Sequence, residues 1–458
     1  MTTMTPMSTR NGTHRAPAAV AVAWLALSCA RAPATQPSPI ASSAPSAPVA
    51  STTAAPPPSA PPSTCEPLRD VADVVAVDGP LPLIIDATES MARFHDKLAR
   101  LARGRATDHV RVAMYGDSNM TMDYLSGEIR RVFQKRFGDG GHGFVTATRH
   151  LFYRHMDVDH GASEGWSTFT ISNNPVGDRL YGFGLVAAQS RGRGATSWLG
   201  TADDKSPIGK TASRFDLFFL RRPGGGAFDV KIDGDRKATI DTNAAETAAG
   251  YERIEVPDGA HKMIVETLDG KPVRLFGAAI ERSAPSVIVD SIGVTSLNIG
   301  QLASENDEAM LEATLAKRAY DLVIVMTGTN EWYPESKHLE LARAVVEHHR
   351  RATPGVSVLF MSPPDKAIGG EHRSAWPITE MAKAKFKAAA ATGAAFWDFR
   401  MAMGGDGAIF DFMKRGLAGS DQRHLTERGG FYMGDRVALA LWRDFVAFVA
   451  KHPNAGCP

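Results

Sequence analysis

Three short segments carry residue types that together could do nucleophilic chemistry. Ser118 stands in Gly116-Asp117-Ser118, Asn330 in Gly328-Thr329-Asn330-Glu331, and His424 in Asp421-Gln422-Arg423-His424. A serine hydroxyl is a poor nucleophile until a base takes its proton, and histidine is the natural base near neutral pH. Asp421 precedes His424 by three residues, so one turn brings its carboxylate to the imidazole, where it would fix the tautomer and stabilise the imidazolium. Attack on an ester carbonyl creates an oxyanion, which needs N–H donors. The backbone N–H of Ser118 and the side-chain amide of Asn330 are candidates, beside a further backbone N–H. This set is complete for acyl transfer without a cofactor, and no metal is called for.

Such groups must be held by rigid elements. Val110–Tyr115 reads as a strand ending at the Ser118 segment, Ser286–Val289 as a strand running into Asp290–Ser296, and Asp321–Met326 as a strand ending at the Asn330 segment. Further strands are expected at 356–360 and 394–397. Amphipathic helices are expected at 88–103, 124–137, 306–319, 339–352, 378–392 and 426–451, from apolar spacings of three and four. Strands alternating with helices imply a doubly wound parallel sheet, and near-continuous apolar strands imply cover on both faces. In such sheets ligands bind beyond the carboxyl ends of the strands, where these segments fall. Residues 146–285 differ. Short alternating stretches at 215–220, 227–232, 237–240, 254–256, 263–267 and 273–280 are separated by Gly-rich turns, which predicts a β-rich, sandwich-like insertion.

The order and composition of these segments resemble the SGNH (GDSL-type) hydrolase superfamily over about 90–150 and 286–450. Gly116-Asp117-Ser118 matches the first block, Gly328-Thr329-Asn330-Glu331 the third and Asp421-x-x-His424 the last. The second block departs: the family places a glycine N–H there, and this chain has Val294-Thr295-Ser296, with Gly293 and Gly300 as alternative donors. Asn119 replaces the histidine that often follows the serine. The β-rich insertion and Phe137–Phe144 resemble bacterial peptidoglycan O-acetylesterases. The resemblance implies a flavodoxin-like α/β fold with an inserted β-sandwich-like domain, and a serine esterase removing O-acetyl groups from a glycan through an acetyl-enzyme. It leaves open acyl transfer to a sugar acceptor, lipase or thioesterase activity, and glycan binding without catalysis.

Other patterns fail on context. Gly161-Ala-Ser163-Glu-Gly165 matches a nucleophile elbow but lacks the strand before and the helix after it. Gly138-Asp-Gly140-Gly-His-Gly143 follows a helix, which excludes a dinucleotide fingerprint and leaves a loop shaping the pocket. His142, His150, His155 and His160 lack metal-ligand spacing and read as solvated loop histidines.

The chain has 458 residues, 43% hydrophobic and 22% charged, with net charge +1. That composition is globular, and the balanced charge gives no basis for nucleic-acid binding. Residues 1–64 are different. They carry Arg10, Arg15 and Arg31 and no acid. A basic start, the apolar run Ala16–Leu27 and Ser28-Cys29 read as a secretory leader over 1–29, too short to span a bilayer. Its Leu25–Cys29 ending resembles a lipoprotein signal with Cys29 lipidated; plain secretion with cleavage elsewhere is the alternative. Residues 30–64 hold 10 of the 28 prolines and read as an extended tether. The expected domains are therefore hydrolase residues 65–145 and 286–458 around the insertion at 146–285. Localisation is expected to be periplasmic or cell-surface, with a lipid anchor as the membrane contact and an acetylated glycan as partner. Cys65 and Cys457 sit at the two ends of the folded body, and domain ends often lie close together; in an oxidising compartment they are expected to form a disulfide.

Overall fold

The computed structural model describes residues 65–457 apart from 69, 150–152, 191 and 368–372. The leader, Cys29, the tether and His150 lie outside the described residues. A five-stranded parallel sheet runs in the order Val287–Gly293, Val110–Gly116, Leu322–Met326, Ser357–Met361, Ala395–Trp397. By position in the chain that is 2-1-3-4-5, so the order reverses at Val110–Gly116, and a crevice opens at its carboxyl end.

The apolar strand runs follow from cover on both faces. Val112, Met114, Leu322 and Ile324 pack against helices Ala92–Ala102, Tyr124–Phe137 and Glu427–Lys451. Their neighbours Ala113, Tyr115, Val323 and Val325 pack against Glu308–Arg318 and Glu335–Ala352 on the other side. Successive strand residues point to opposite faces, so neither face has room for a polar side chain without a partner.

The strand expected to end at Val289 continues through Gly293. Asp290 breaks the apolar run but not the strand, because its buried carboxylate is fully partnered. It accepts from Arg318 Nε at 2.6 Å, the Tyr320 hydroxyl at 2.7 Å and the Phe144 N–H at 2.8 Å.

Residues 143–281 form two antiparallel sheets, one of six strands and one of five. Phe215, Leu217 and Phe219 from one sheet meet Phe228, Val230 and Ile232 from the other in a shared apolar layer. The six-stranded sheet is buried on its second face too. Phe218, Leu220 and Phe276 join the core that covers Val323 and Val325 of the parallel sheet. The β-rich part is thus welded to the α/β part rather than hung from it. Buried charge sharpens that junction. Glu281, fully buried, receives Arg111 at 3.0 Å and also pairs with Arg214 and Arg318. Burial pushes its carboxyl up, but the Arg111 and Arg318 guanidiniums outweigh that and hold it well below the carboxylate range.

Cys65 and Cys457 are joined by a disulfide with Cα atoms 6.2 Å apart. Arg103 closes the same end by donating to the carbonyls of Ala455 and Pro453 at 2.8 and 2.9 Å.

Candidate active site

Val110–Gly116 delivers Ser118 at its carboxyl end on a tight turn. Asp117 is fully buried; its carboxylate accepts the Asn119 N–H at 3.1 Å and its carbonyl accepts the Met120 N–H at 2.9 Å. Burial is the main cause raising the Asp117 pKa. Two glycines make room for the turn. A Cβ on Gly116 would lie 2.2 Å from Met120 Cγ, and one on Gly293 would lie 2.5 Å from the Met120 carbonyl carbon. Both strands therefore need glycine at these paired positions. Ser118 itself is left half-buried.

The Ser118 hydroxyl lies 2.8 Å from His424 Nε2, and His424 Nδ1 lies 2.5 Å from Asp421 Oδ2. Asp421 is pre-oriented by its own turn, accepting the N–H groups of Arg423 and His424 at 3.2 and 3.1 Å through Oδ1. Partial burial raises the Asp421 pKa, and its hydrogen bonds with His424 outweigh this and leave it lowered. Three residues 303 or more positions apart from Ser118 or adjacent in one turn thus form a continuous relay. Thr426 then caps the helix Glu427–Lys451, accepting Gly429 N–H at 3.2 Å, which anchors the turn to the core.

Asn119 couples the two segments. Its side-chain carbonyl accepts the Leu425 N–H at 2.9 Å. The sequence offered Asn119 only as a departure from the family's histidine; its partner lies 306 residues away and leaves no local signal.

The Val294–Ser296 turn sits beside the Ser118 turn, with Val294 N–H donating to the Gly116 carbonyl at 2.9 Å. Ser296 is exposed and takes φ 64°, the left-handed conformation a glycine would adopt without strain. Of the alternatives, Gly293 is the close-approach residue beneath Met120, and Gly300 lies within helix Ile299–Ser304 against the Tyr333 hydroxyl. The β-rich part buttresses this turn: Ser172 Oγ and Asn173 Nδ2 donate to the Thr295 carbonyl at 2.5 and 3.2 Å.

Asn330 follows the strand Leu322–Met326, and its Nδ2 is a buried donor with no hydrogen-bond partner among the described residues. Buried amides are otherwise nearly always paired, so such an N–H marks a place for an acceptor. Its loop is braced by charges the sequence did not reveal. Lys366 Nζ donates to the Thr329 carbonyl at 2.7 Å. Lys385 Nζ donates to Thr327 Oγ1 at 3.0 Å, and burial lowers the pKa of both lysines. Glu331 accepts the Ile299 N–H at 2.8 Å, tying the Asn330 loop to the segment after Ser296. Burial raises the Glu331 pKa, but Lys385 and His338 bring it below its usual value.

Two expectations fail. His142, His155 and His160 are not solvated: each is at most 3% exposed. Burial pushes His142 well down, His155 to about 4 and His160 to about 2, so they are neutral. Asp123, His142 and His155 present ligand atoms within 4.8 Å of one another. Asp123 is already occupied, however, by Arg130 at 3.1 and 3.2 Å, the Ser126 hydroxyl and the Met156 N–H. A cation there would face the Arg130 guanidinium, so the group does not suit a metal. The Gly138–Gly143 loop does not shape the pocket either. Gly140 and Gly141 press against Ser286, Ile288 and the Glu281 backbone, at the opposite edge of the sheet from Ser118, where any Cβ would clash. Ser163 sits in the connection between strands Asp159–Ala162 and Trp166–Thr170, not on an elbow.

No protein-family model matches this chain, and no curated protein matches it significantly. Among solved structures, one described as a peptidoglycan O-acetylesterase in action matches with a TM-score of 0.68 at 23% identity, over 80% of this chain and 100% of that one. Family two carbohydrate esterases from Clostridium thermocellum and Cellvibrio japonicus match at 10% and 9% identity over 64% of this chain and 100% and 99% of theirs, with TM-scores of 0.27 and 0.26. The parallel sheet, its strand order and the long first overlay show that this chain shares the fold of that peptidoglycan O-acetylesterase structure.

Proposed function

We propose that this protein is an exported serine carboxylic ester hydrolase that removes O-acetyl groups from a glycan, with peptidoglycan the first polymer to test. The observation that carries the reading is the unbroken Ser118–His424–Asp421 relay at the carboxyl edge of the sheet. His424 Nε2 takes the Ser118 proton as Oγ bonds to the acetyl carbonyl carbon. Asp421 holds Nδ1–H and stabilises the imidazolium. The oxyanion receives the N–H groups of Ser118 and Ser296 and the amide of Asn330, whose unpartnered Nδ2 supports that role. Collapse expels the sugar hydroxyl, protonated by His424, and leaves acetyl on Ser118. Water, deprotonated by His424, then releases acetate and restores the hydroxyl.

The overlay on a peptidoglycan O-acetylesterase supports the choice of glycan ester over lipid ester. The leader over 1–29 and the tether over 30–64 supply the route to such a polymer. Among the described residues no helix is long and apolar enough to cross a membrane; the attachment proposed is a lipid at Cys29. The test is acetate release from O-acetylated peptidoglycan beside acetylated xylan. Faster release from peptidoglycan supports the reading, xylan preference reassigns the polymer, and release from neither overturns it.

A further inference from the structure

Of the six described tryptophans, only Trp332 and Trp376 are exposed, at 67% and 72%. They come from different loops. Trp332 follows the strand that delivers Asn330, and Trp376 opens the helix Trp376–Thr392 after the next strand, Ser357–Met361. Both therefore stand on the carboxyl edge of the parallel sheet, the edge that carries Ser118. They meet across one cleft of about 220 Å³, floored by the buried Met381 and Ala384. A single exposed apolar side chain is ordinary, but two large rings facing one concavity are not.

The surroundings narrow the occupant. The cleft is smaller than the roughly 300–1,000 Å³ of drug-sized pockets, which suits one ring and not a long acyl chain. Glu335 and Glu380 line it, each paired with a lysine, Lys387 at 2.6 Å and Lys383 at 2.8 Å. Carboxylates that keep free lone pairs accept from hydroxyl groups, and they repel anionic ligands. Neither indole N–H has a hydrogen-bond partner among the described residues, so both are free to donate to a ligand oxygen. An apolar face for the rings and a rim of hydroxyls for the carboxylates describe a neutral sugar.

The cleft is also braced against the chemistry. Lys366 Nζ donates to the Thr329 carbonyl at 2.7 Å and lies 5.9 Å from the Trp332 ring centroid, a cation–π position. Asn330 and Trp332 are two residues apart, at most about 7 Å of backbone. We propose that Trp332 and Trp376 form a subsite that stacks one neutral pyranose ring of the glycan chain, next to the sugar whose ester Ser118 attacks. The inference rests on the glycan esterase reading above and names how that site holds its polymer.

Binding tests it without turnover. The full chain carrying Ser118→Ala is titrated with chitotetraose, a neutral unacetylated-at-oxygen oligosaccharide, by calorimetry and by indole fluorescence. Adding Trp376→Ala should raise Kd about tenfold, near 1.4 kcal/mol, and Trp376→Phe should recover most of it. In the chain with Ser118 intact, Trp376→Ala should lower the ratio of turnover on O-acetylated peptidoglycan to turnover on p-nitrophenyl acetate by about tenfold. An unchanged Kd together with an unchanged ratio overturns the subsite. A loss of turnover confined to p-nitrophenyl octanoate overturns it in favour of an acyl-chain slot. Absence of hydrolysis of every ester by the unmodified chain overturns the esterase reading instead, and the chitotetraose titration still decides the subsite. Thermal melts of each variant distinguish a lost ligand from a lost fold.

Discussion

Replacing Asn119 by Ala removes the side-chain acceptor that joins the nucleophile turn to the base turn. The Leu425 N–H, held at 2.9 Å, then loses its partner. The base turn is otherwise closed on itself. Gly419 N–H bonds to the His424 carbonyl at 2.8 Å, Thr426 N–H to the Leu417 carbonyl at 3.0 Å, and Asp421 accepts from its own turn. The variant should therefore keep its fold and lose registry between Ser118 and His424. One neutral hydrogen bond contributes about 1 kcal/mol net, a factor of about five in the population of the aligned state. Where the turn drifts by about 1 Å the loss reaches about a hundredfold. The expected result is a fall in kcat of between about fivefold and a hundredfold on p-nitrophenyl acetate, with KM changed less than kcat. Asn119→Asp keeps an acceptor in place and should restore the larger part of the rate. A kcat within about twofold of the parent for Asn119→Ala, or no recovery with Asp, would refute the reasoning.

Other consequences follow from the same geometry. Asn330→Ala removes one oxyanion donor and should cost about 2.7–4 kcal/mol of barrier, read as a hundredfold to thousandfold lower kcat at little change in melting temperature. Ser296→Gly relieves a left-handed residue at φ 64° and keeps the backbone N–H, so it should raise stability by about 1 kcal/mol with activity retained; loss of activity would assign a role to the hydroxyl. Glu281→Gln leaves Arg111 and Arg318 without their shared counter-charge and should destabilise by about 3–5 kcal/mol in urea melts. The folded pKa of Glu281 is depressed, so its contribution is present above the unfolded value of about 4.3 and lost as pH falls below it; the gap between wild type and Glu281→Gln in melting temperature should shrink in that acid range.

The parallel strands were legible because burial on both faces writes an uninterrupted apolar run, and Ser118 and Asn330 were legible because they sit where such runs stop; His424 was legible from Asp421 three residues before it, ahead of the helix Glu427–Lys451. Charge inside the core was not. Asp290 looked like the end of a strand because Arg318 and Tyr320, which neutralise it, arrive 28 and 30 residues later. Lys366 and Lys385 gave no signal in the sequence, since nothing near them in the chain announces their partners, the Thr329 carbonyl and Thr327. The hairpins at Asp159–Thr170 and Val186–Gly200 escaped notice because glycine, serine and threonine dominate them and their apolar residues do not alternate cleanly. His142, His155 and His160 were placed in solvent for the same reason: irregular spacing hides a cluster that folding assembles from three segments.

The central claim is that Ser118, deprotonated by His424, is the nucleophile of an acetyl-transferring relay. Acetate release from O-acetylated peptidoglycan, measured side by side for the parent and Ser118→Ala, tests it most directly. The account predicts a fall of at least about a thousandfold with the melting temperature unchanged. Release by the Ser118→Ala variant at a rate near the parent's would contradict it.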